Sequence, residues 1–337
     1  MTLKVGVVVV SYNSQAVLQT CLNAWRRQTV ESSLLLVDNA SQDSSVSLAQ
    51  NEGIEVLQMG WNSGFAKATN CGAEVLFSRG CTHVLCLNPD TQMDPECIEK
   101  LLATAKKTKA SLVQSSIYCR DNKKINTLGN VLHYSGISYC PDFGKEKKEE
   151  QEDHHISMAS GACMLMSREC FFQLGGMRDD FFLYMEDTDF SWRCLLSGGL
   201  IVLSTKAICY HEYILKIPPW KLALLDRNRL MMVLTNYSFK TLLIFFPVLF
   251  FVELLLLVWS IMRGYFFLKI KGYVYILKSL HKISLLRKNM KQVRKMSDKK
   301  MLEHMISKLD IPGLTILGSR ILNGIFSVYL RLVKPLL

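Results

Sequence analysis

The chain has 337 residues, of which 49% are hydrophobic, so it can bury a core as one large domain or two smaller ones. Its net charge of +11 is unevenly distributed along the chain. Residues 241–337 contain 16 Lys and Arg and 4 Asp and Glu, a net charge of +12, so residues 1–240 have a net charge of −1. The 11 cysteines, all before residue 241 and without a C-x-x-C pair, argue against a structural zinc site and a disulfide scaffold, and no signal peptide is evident. We therefore expect a cytoplasmic globular part joined to a basic tail.

Strands and helices alternate through the first 120 residues. Continuous β-favouring runs predict strands at residues 5–12, 34–37, 54–57, 85–87 and 111–118, and helical spacing predicts helices at 14–28, from 43, at 63–79 and at 94–107. Such alternation is typical of a parallel sheet with right-handed crossovers and helices on both faces. The predicted fold class is α/β, with a mostly parallel central sheet.

Polar side chains follow the first two predicted strands. The run Ser11-Tyr12-Asn13 ends the first strand, and Asp38 ends the second. An aspartate at such an edge can accept a hydrogen bond from a base imide or a ribose hydroxyl, which makes Asp38 a ligand candidate. Ser14 and Asp43 stand just before predicted helices, and we assign them as N-caps.

The run Asn62-Ser63-Gly64-Phe65 opens the next helix, which continues through Asn70. Glycine permits a close backbone approach, and free amides at a helix start favour an anion such as a diphosphate. The sequence contains neither G-x-G-x-x-G nor G-x-x-x-x-G-K-[ST], which argues against a dinucleotide enzyme and a P-loop NTPase.

An apolar run stops abruptly at Asn88-Pro89-Asp90. Proline ends the strand and keeps Asn88 out of a helix, so Asp90 is expected at the carboxyl edge of the sheet. Ligands bind at that edge in open α/β sheets, and a carboxylate there can hold a divalent cation. The alternative is a simple turn in which Asp90 caps a helix beginning near Pro95.

The alternation breaks after residue 120. Residues 126–139 resemble a hairpin or meander, and the highly charged residues 142–155 form either a solvated loop or a lid over an active site. The buried run at residues 160–166 begins with small residues, among them Gly161, which leave room for a ligand. Arg227-Asn228-Arg229 lies in a helical stretch and could meet a diphosphate or lipid phosphate, or be a solvated basic face.

Acidic residues are packed among aromatic ones at residues 181–190. In such a place, where water is scarce, Glu186 or Asp187 can become a competent base. A structural interpretation is also open, because both suit the first turn of a helix and Asp189 pairs with Arg193 at i,i+4. His211 follows a strand predicted at 200–208 and is a core residue unless Asp90 holds a metal.

Taken in order, these motifs resemble those of family 2 glycosyltransferases with the GT-A fold, and rhamnosyltransferase-like members most of all. The resemblance covers about residues 5–235 and rests on Val-Ser-Tyr-Asn at 10–13, Val-Asp-Asn-Ala-Ser at 37–41, residues 62–70, Asn88-Pro89-Asp90, Gly161-Ala162, and Glu186-Asp187-Thr188-Asp189 with Arg193.

The resemblance implies roles for particular residues. Asn88-Pro89-Asp90 stands where such enzymes carry D-x-D, so Asp90 would be the direct ligand of Mg²⁺ or Mn²⁺, and His211 a second metal or phosphate contact. Asp187 would be the general base of an inverting displacement, with Glu186 as the fallback. The implied donor-binding residues are Ser11, Tyr12, Asn13, Asp38, Asn62, Gly64, Asn70, Asn88, Gly161 and Arg193.

The implied function is transfer of a sugar, from a donor such as dTDP-rhamnose or a UDP-sugar, to a lipid-linked or polysaccharide acceptor. Two alternatives stay open: a polyprenyl-phosphate glycosyltransferase, and a non-catalytic scaffold that binds nucleotide-sugar or membrane within a glycan assembly complex. Nucleic acid is not an expected partner, because the basic excess accompanies apolar runs and not a reading helix or stacking platform.

The basic tail begins with 21 mostly apolar residues at 242–262. At about 1.5 Å per residue this stretch could cross a bilayer of about 30 Å. A single crossing would break the positive-inside preference, and a central Glu253 would cost about 2.5–3.5 kcal/mol, so we favour a re-entrant or in-plane helix over a crossing or a buried core helix. Basic residues would then face anionic lipid, namely Lys282, Arg287, Lys288, Lys291, Arg294 and Lys295.

The predicted organisation is therefore a GT-A domain at residues 1–238 and a basic, apolar, helical tail at 239–337, with a further amphipathic segment at 313–337. This arrangement predicts a protein held at the cytoplasmic face of a membrane through its tail.

Overall fold

The structure, a computed structural model, describes residues 3–121, 123–147, 152–212, 218–312 and 319–337. Its strands are β1 (Val5–Ser11), β2 (Ser33–Asp38), β3 (Glu55–Gln58), β4 (His83–Leu87), β5 (Thr91–Met93), β6 (Leu112–Tyr118), β7 (Ile125–Thr127), β8 (Val131–Leu132), β9 (Ser138–Tyr139), β10 (His154–His155), β11 (Cys163–Ser167) and β12 (Ile201–His211). Its helices are α1 (Gln15–Arg26), α2 (Ser45–Asn51), α3 (Phe65–Ser78), α4 (Cys97–Thr108), α5 (Arg168–Leu174), α6 (Glu186–Leu196), α7 (Pro219–Asn236), α8 (Phe239–Met262), α9 (Phe266–Lys278), α10 (Leu280–Val293), α11 (Asp298–Met301) and α12 (Ser319–Val333).

One sheet organises the globular part, with strand order β10-β12-β6-β11-β4-β1-β2-β3 and with β5 and β7 paired to β12 and β6. Six of the eight strands in this path run in one direction, and β10 and β11 run against them. The carboxyl ends of β1, β2 and β4 therefore lie at one edge. Because β11 is antiparallel, its amino end lies at that edge too, where the Asn88 amide donates to the Ala162 carbonyl at 3.0 Å. The predicted α/β class with a mostly parallel sheet is confirmed.

The strands are apolar throughout because both faces of the sheet are covered. Val8 and Val10 of β1 belong to the core with α3, α5 and α6, whereas Val7 and Val9 belong to the core with α1, α2 and α4. Gly72 lets α3 approach the sheet closely, since a Cβ there would lie 2.8 Å from Val37 and 2.9 Å from Val8.

The chain departs from the predicted elements directly after Asp90. It forms the short strand β5, which pairs with the end of β12 and sets Thr91 opposite His211. Helix α4 begins only at Cys97, so Asp90 does not cap it, and the alternative of a simple capping turn is wrong. A strand of three residues is too short to show a period in the sequence, and β12 also runs three residues beyond its predicted end.

Two predicted caps are arranged differently from expectation. Ser14 occupies the N-cap position of α1, but its hydroxyl makes no capping bond there. Instead, the Gln15 amide of α1 donates to Asp43 Oδ2 at 2.9 Å, and the Ser45 amide of α2 donates to Asp43 Oδ1 at 3.0 Å. Asp43 thus holds the starts of two helices, and the loops after β1 and β2 are joined.

Other predicted segments are found in part. The hairpin predicted at residues 126–139 contains β8 paired with β9. Of the charged segment at 142–155, residues 148–151 lie outside the described residues, and so do residues 313–318 of the predicted amphipathic segment. The rest of that segment contains α12.

Residues beyond 238 pack onto the globular part through a shared core. Trp192 of α6 makes an edge contact with Tyr237 at 4.8 Å between ring centroids, and Tyr237 does the same with Phe245 of α8 at 5.4 Å. The Tyr134 hydroxyl donates to the Phe326 carbonyl of α12 at 3.0 Å. Two of the basic residues predicted to face lipid are turned inward instead, because Arg287 donates to the Tyr237 carbonyl at 2.9 Å and Arg294 pairs with Asp298.

The outer faces of this helical part are apolar. Helix α8 is long and apolar enough to cross a membrane by length and composition, with a mean hydropathy of 2.7, but 22% of its most apolar window is buried inside the protein. Exposed apolar side chains recur at helical spacing on α8 and along α12 with its following turn: Phe239, Leu243, Phe246, Phe250, Leu254, Val258 and Met262, and Ile321, Ile325, Val328, Leu332 and Leu336. We call these two sets the apolar stripes.

A buried ion cluster joins α6 to the segment before it and to α7. Asp189 is fully buried, with Arg193 at 2.6 Å and Arg178 at 3.2 Å. The Asn236 amide of α7 also donates to Asp189 at 3.0 Å. Burial lowers the pKa of Arg178 to about 10, yet the guanidinium stays charged at neutral pH. One carboxylate thus balances two buried cations.

We expect Asp189→Asn to destabilise the fold by about 3–5 kcal/mol, because it removes the anion and leaves two buried guanidinium groups uncompensated. The free energy of unfolding from denaturant titration measures this loss. As a matched control, Glu55→Gln breaks the exposed pair with Arg79, whose atoms lie 2.7 Å apart, and should cost no more than about 1 kcal/mol. Equal losses in the two variants would contradict the assignment of Asp189 as the balancing charge.

Candidate active site

The carboxyl ends of β2, β1 and β4 form the floor of the candidate site. Ser11 at the end of β1 lies in register with Asp38 at the end of β2, and Val9 of β1 lies opposite Leu87 of β4. Adjacent strands are about 4.8 Å apart, so Asp38 and the chain following Leu87 are separated by roughly 10 Å along the edge. An extended ligand can therefore contact all three strand ends at once.

Two buried oxygens at this edge lack partners. Ser11 Oγ and Asp38 Oδ1 form no hydrogen bond with any described residue, although both side chains are buried. The other carboxylate oxygen of Asp38 accepts from the Ser41 amide at 3.1 Å, which fixes the side chain. A buried polar atom without a partner costs about 1–3 kcal/mol, so these oxygens indicate a place where a ligand supplies donors. The neighbouring Tyr12 ring is half exposed.

Asn13 and Asn39 brace the loops around this edge. Asn13 Oδ1 accepts from the Gln42 amide at 2.7 Å, so its side chain links the loops after β1 and β2. Asn39, which the sequence analysis did not single out, donates to the Gly64 carbonyl at 3.1 Å and accepts from the Ser63 hydroxyl at 2.8 Å. The signals for Asn39 were its place next to Asp38 at a strand end and in the Val-Asp-Asn-Ala-Ser motif.

Two amides at the start of α3 are already bonded within the protein, contrary to the expectation of free amides there. Its first amide, that of Phe65, donates to the Phe182 carbonyl at 2.6 Å, and the Gly64 amide donates to Asn62 Oδ1 at 3.1 Å. Gly64 has φ +82°, and a Cβ there would lie 2.4 Å from the Phe182 oxygen. Asn62 and Gly64 therefore allow the loop containing Phe182 to rest on α3.

Asn70 and Arg193 also lie in structural positions. The Asn70 amide donates to the Met177 carbonyl and to Asp179, both at 2.7 Å. Arg193 is buried and, besides pairing with Asp189, donates to the Gly176 carbonyl at 2.9 Å. Because these bonds already fix both side chains, we leave both out of the donor site proposed below.

A cleft of about 440 Å³ opens beside the end of β4, and its walls include Asn88, Gly161, Glu186, Asp187 and His211. These residues come from four separate parts of the chain. The sheet brings them together because β11 and β12 bring Gly161 and His211 to the edge at which β4 ends. The structure thus assembles most of the residues that the sequence predicted for catalysis and metal binding.

Strand β5 brings His211 beside Asp90. His211 Nε2 lies 3.1 Å from Asp90 Oδ1, and the Asn88 side-chain amide lies 3.4 Å from the same nitrogen. A carboxylate oxygen and an imidazole nitrogen are both ligands for Mn²⁺, and a site with so few protein ligands suits Mg²⁺ or Mn²⁺ completed by substrate phosphates. Among the described residues no group of three or more His, Cys, Asp or Glu side chains could hold a metal ion alone.

Asp187 is held rigidly at the amino terminus of α6. Its Oδ2 accepts from the Gly161 amide at 3.0 Å, and its Oδ1 accepts from the Thr188 amide at 2.6 Å. Burial nevertheless raises the pKa of Asp187 above its ordinary value, and these hydrogen bonds oppose only part of that shift. Burial, followed by the nearby charge of Asp187, raises the pKa of Glu186 further, and Glu186 Oε2 has no partner among the described residues. A buried carboxylate with a raised pKa is a competent proton acceptor.

The backbone just before this pair is strained. Phe182 has φ 61° and ψ −62°, and the Leu183 amide donates to the Phe181 carbonyl at 2.6 Å, which makes a γ-turn of the rare hand. Tyr184 and Met185 also have positive φ, at 69° and 68°. Conformations of this kind cost roughly 1–3 kcal/mol each and concentrate at active sites.

Arg227, Asn228 and Arg229 are all bonded within the protein. Arg227 and Asn228 donate to backbone carbonyls of the strained loop, and Arg229 is buried in contact with Glu253. These contacts rule out the expectation of a solvated basic face. They direct the Arg227 guanidinium and the Asn228 amide at this loop.

Known proteins resemble this chain in sequence. Residues 6–175, just over half of the chain, match the model for glycosyl transferase family 2. A low-salt glycan biosynthesis hexosyltransferase, Agl10 of Haloferax volcanii, is 28% identical over 193 residues, which are 56% of this chain and 60% of that protein. An N-acetylglucosaminyl-diphospho-decaprenol L-rhamnosyltransferase of Mycobacterium tuberculosis is 26% identical over 236 residues, covering 63% of this chain and 77% of the relative. The chain thus spans less than two thirds of the Haloferax relative.

Solved structures show the same fold at low sequence identity. GalNAc-T7 with UDP, GalNAc and Mn²⁺ superposes with a TM-score of 0.63 at 15% identity, over 89% of this chain and 56% of that one. TarS residues 1–349 from S. aureus, in complex with UDP, superposes with a TM-score of 0.51 at 14% identity, over 99% of this chain and 90% of that one. The predicted GT-A architecture is confirmed, and with the family match over half of its length the chain belongs to glycosyltransferase family 2.

Proposed function

We propose that the protein is an inverting, metal-dependent glycosyltransferase that moves a hexose, such as rhamnose, from a nucleotide-sugar to a lipid-linked or polysaccharide acceptor. The observation that carries the proposal is the partly buried Asp187 carboxylate, held by the Gly161 amide at a cleft whose walls also include His211. Names of the relatives support the substrate class, because they include an L-rhamnosyltransferase acting on a diphospho-decaprenol and a dTDP-rhamnosyl transferase of Shigella flexneri.

The donor nucleoside would bind at the ends of β1 and β2. A base imide N–H or ribose hydroxyl would donate to Asp38 Oδ1 and to Ser11 Oγ, and so supply the partners that both buried oxygens lack. The half-exposed ring of Tyr12 would cover the base. Asn13, Asn62 and Gly64 would shape this end of the site through their backbone contacts.

The sugar and diphosphate would extend toward Asn88 and the cleft. Asp90 and His211 would hold the divalent cation, which when bound neutralises charge on the diphosphate. In the transfer itself, the acceptor hydroxyl oxygen attacks the anomeric carbon while the bond from that carbon to the diphosphate oxygen breaks. The hydroxyl proton passes to Asp187, and the nucleoside diphosphate leaves with the electron pair. One displacement inverts the anomeric centre.

The acceptor side of the proposal rests on the apolar stripes. Helix α8 buries Phe245, Val248 and Val252 against the globular part and exposes its other face. Glu253 does not face lipid, because it pairs with Arg229 and accepts from the Tyr273 hydroxyl at 2.7 Å. An in-plane position, with the stripes in the lipid and the catalytic cleft at the cytoplasmic surface, suits this half-buried helix and a lipid-linked acceptor.

We expect the purified protein to turn over one nucleotide-sugar from a panel when Mn²⁺ or Mg²⁺ is present and to lose this turnover with a chelator. Asp187→Asn should lower the rate by about 10²–10⁴-fold, because the general base is lost while the shape of the side chain is kept. Donor binding, measured by calorimetry, should survive. The paired variant Glu186→Gln tests which carboxylate accepts the proton.

Glu55→Gln serves as the control carboxylate variant, because Glu55 is exposed on β3 and away from the cleft. Full activity in Asp187→Asn together with a large loss in Glu186→Gln would transfer the role to Glu186. Binding of a donor by the wild type without turnover, even with lipid-linked and glycan acceptors present, would instead favour the non-catalytic scaffold.

The pH dependence of kcat follows from the burial of Asp187. The base must be ionised, so the rate rises as pH rises through its pKa, and burial holds that pKa above the ordinary aspartate value of about 3.9. We therefore expect the rate to fall, on acidification, at a pH above the ordinary aspartate pKa. If the rate instead fell at the ordinary aspartate pKa, while the affinity for the donor stayed unchanged over the same pH range, the assignment of Asp187 as the base would be contradicted.

Membrane association is tested with vesicles of phosphatidylcholine, alone or mixed with phosphatidylglycerol. We expect Phe250→Glu to lower the fraction bound in co-sedimentation by about 10-fold or more, because it removes a side chain whose burial contributes about 1.5–3 kcal/mol. Phe172→Glu is the control, since Phe172 is an equally exposed aromatic on α5, outside the stripes. Equal binding of the two variants would exclude α8 as the lipid contact.

A further inference from the structure

The loop that leads into Glu186 and Asp187 is held by one buried asparagine of α7. Asn228 is 1% exposed, and its side-chain amide donates to the carbonyls of Phe181 at 2.9 Å, Leu183 at 3.0 Å and Tyr184 at 2.8 Å. An amide group has only two hydrogens, so the three carbonyls share them. All three belong to the strained stretch.

Arg227 fixes the orientation of this asparagine and extends its contacts. Its guanidinium donates to Asn228 Oδ1 at 2.8 and 3.0 Å, so the Asn228 amide hydrogens must point at the loop. The same guanidinium donates to the Asp180 carbonyl at 2.8 Å and the Phe181 carbonyl at 3.2 Å. The Phe65 amide donates to the Phe182 carbonyl. Every backbone carbonyl from residue 180 to 184 therefore accepts a hydrogen bond from a residue outside this loop.

These contacts matter because the loop conformation is unfavourable on its own. Three of its residues have positive φ, and Met185, the last of them, is bonded directly to Glu186. Without the donors from α7, rotation about these angles would relax the loop and move the first turn of α6. Asp187 would then lose its alignment with the Gly161 amide.

The opposite side of α7 is tied to the helices that carry or adjoin the apolar stripes. Asp226 accepts from Lys269 of α9 at 2.9 Å and from the Tyr265 hydroxyl at 3.1 Å. Arg229 pairs with Glu253 of α8. One helix thus connects the loop before the carboxylate pair to the helical part of the chain, through residues adjacent to Asn228.

We infer that Asn228 is a positioning residue, which sets the catalytic carboxylate pair by clamping the strained loop, with Arg227 as its support. The inference rests on the proposed function, because it acts through Glu186 and Asp187. It also explains why the run Arg227-Asn228 faces the loop and not a phosphate. Asn228 itself touches neither a substrate nor the reacting atoms.

The test uses Asn228→Asp, which keeps the shape and removes both N–H donors, and Asn228→Ala. We expect kcat to fall on the order of 100-fold, as for a small displacement of a catalytic group, while the donor Kd stays within about two-fold. In hydrogen exchange, amides in residues 182–189 should exchange faster than in the wild type. A merely destabilised protein would not confine the change to that segment.

Asn323→Ala is the matched control, because Asn323 is a buried asparagine of α12 that accepts from the Leu309 amide at 2.8 Å and bonds to Asp310, outside the clamped loop. It should lower thermal stability without changing kcat or exchange at residues 182–189. If the Asn228 variants do not fold, Arg227→Ala takes their place, with a smaller loss of about 10-fold expected.

Unchanged exchange at residues 182–189 in every folded clamp variant would overturn the inference. So would a fall in kcat matched by Asn323→Ala, or a parallel loss of donor affinity. The exchange measurement needs no substrate, so it decides the clamp even if the wild type turns over no nucleotide-sugar, an outcome that would count against the proposed function alone.

Discussion

The site depends on keeping charged and polar oxygens buried without complete pairing. Asp38 Oδ1, Ser11 Oγ and Glu186 Oε2 are all buried and all lack a hydrogen bond from the described residues. Each such atom costs about 1–3 kcal/mol. At this edge and in this cleft, a bound ligand or a transferred proton would supply the partner that each of the three oxygens lacks.

The same constraint separates Asp187 from Asp189, two residues apart on one helix. Asp189 is neutralised by two guanidinium groups, whereas the donors to Asp187 are neutral, namely two backbone amides and the Thr188 hydroxyl. Hydrogen bonds from neutral amides orient the carboxylate without supplying a full compensating charge, so burial can still raise its pKa. One carboxylate is therefore structural and the other remains available as a base.

Much of this could be predicted from the sequence, and the exceptions have physical reasons. Strand ends rich in polar residues, as at Asp38 and Asn88, are visible because an apolar run changes abruptly into a polar one. The pairing of Arg193 with Asp189 was visible at i,i+4, but the backbone bonds of Asn62 and Asn70 were not, because an asparagine that bonds to the backbone looks the same in sequence as one that binds a ligand. Their partners lie more than a hundred residues away or in loops without a period, as with Asn70 and Met177.

The tail shows the limit of sequence reasoning most clearly. In the sequence, Glu253 within an apolar run argued against a helix that crosses the bilayer. In the structure its carboxylate contacts Arg229, Lys269 at 3.4 Å and Tyr273. Since removing one member of a buried ion network leaves the others uncompensated, this network holds α7, α8 and α9 as one unit. Any force that a bilayer exerts on α8 would therefore reach α7, whose Asn228 contacts the loop before the carboxylate pair. The contacts that pair Glu253 are also those that join α8 to α7 and, through Asn228, to the loop before Glu186 and Asp187.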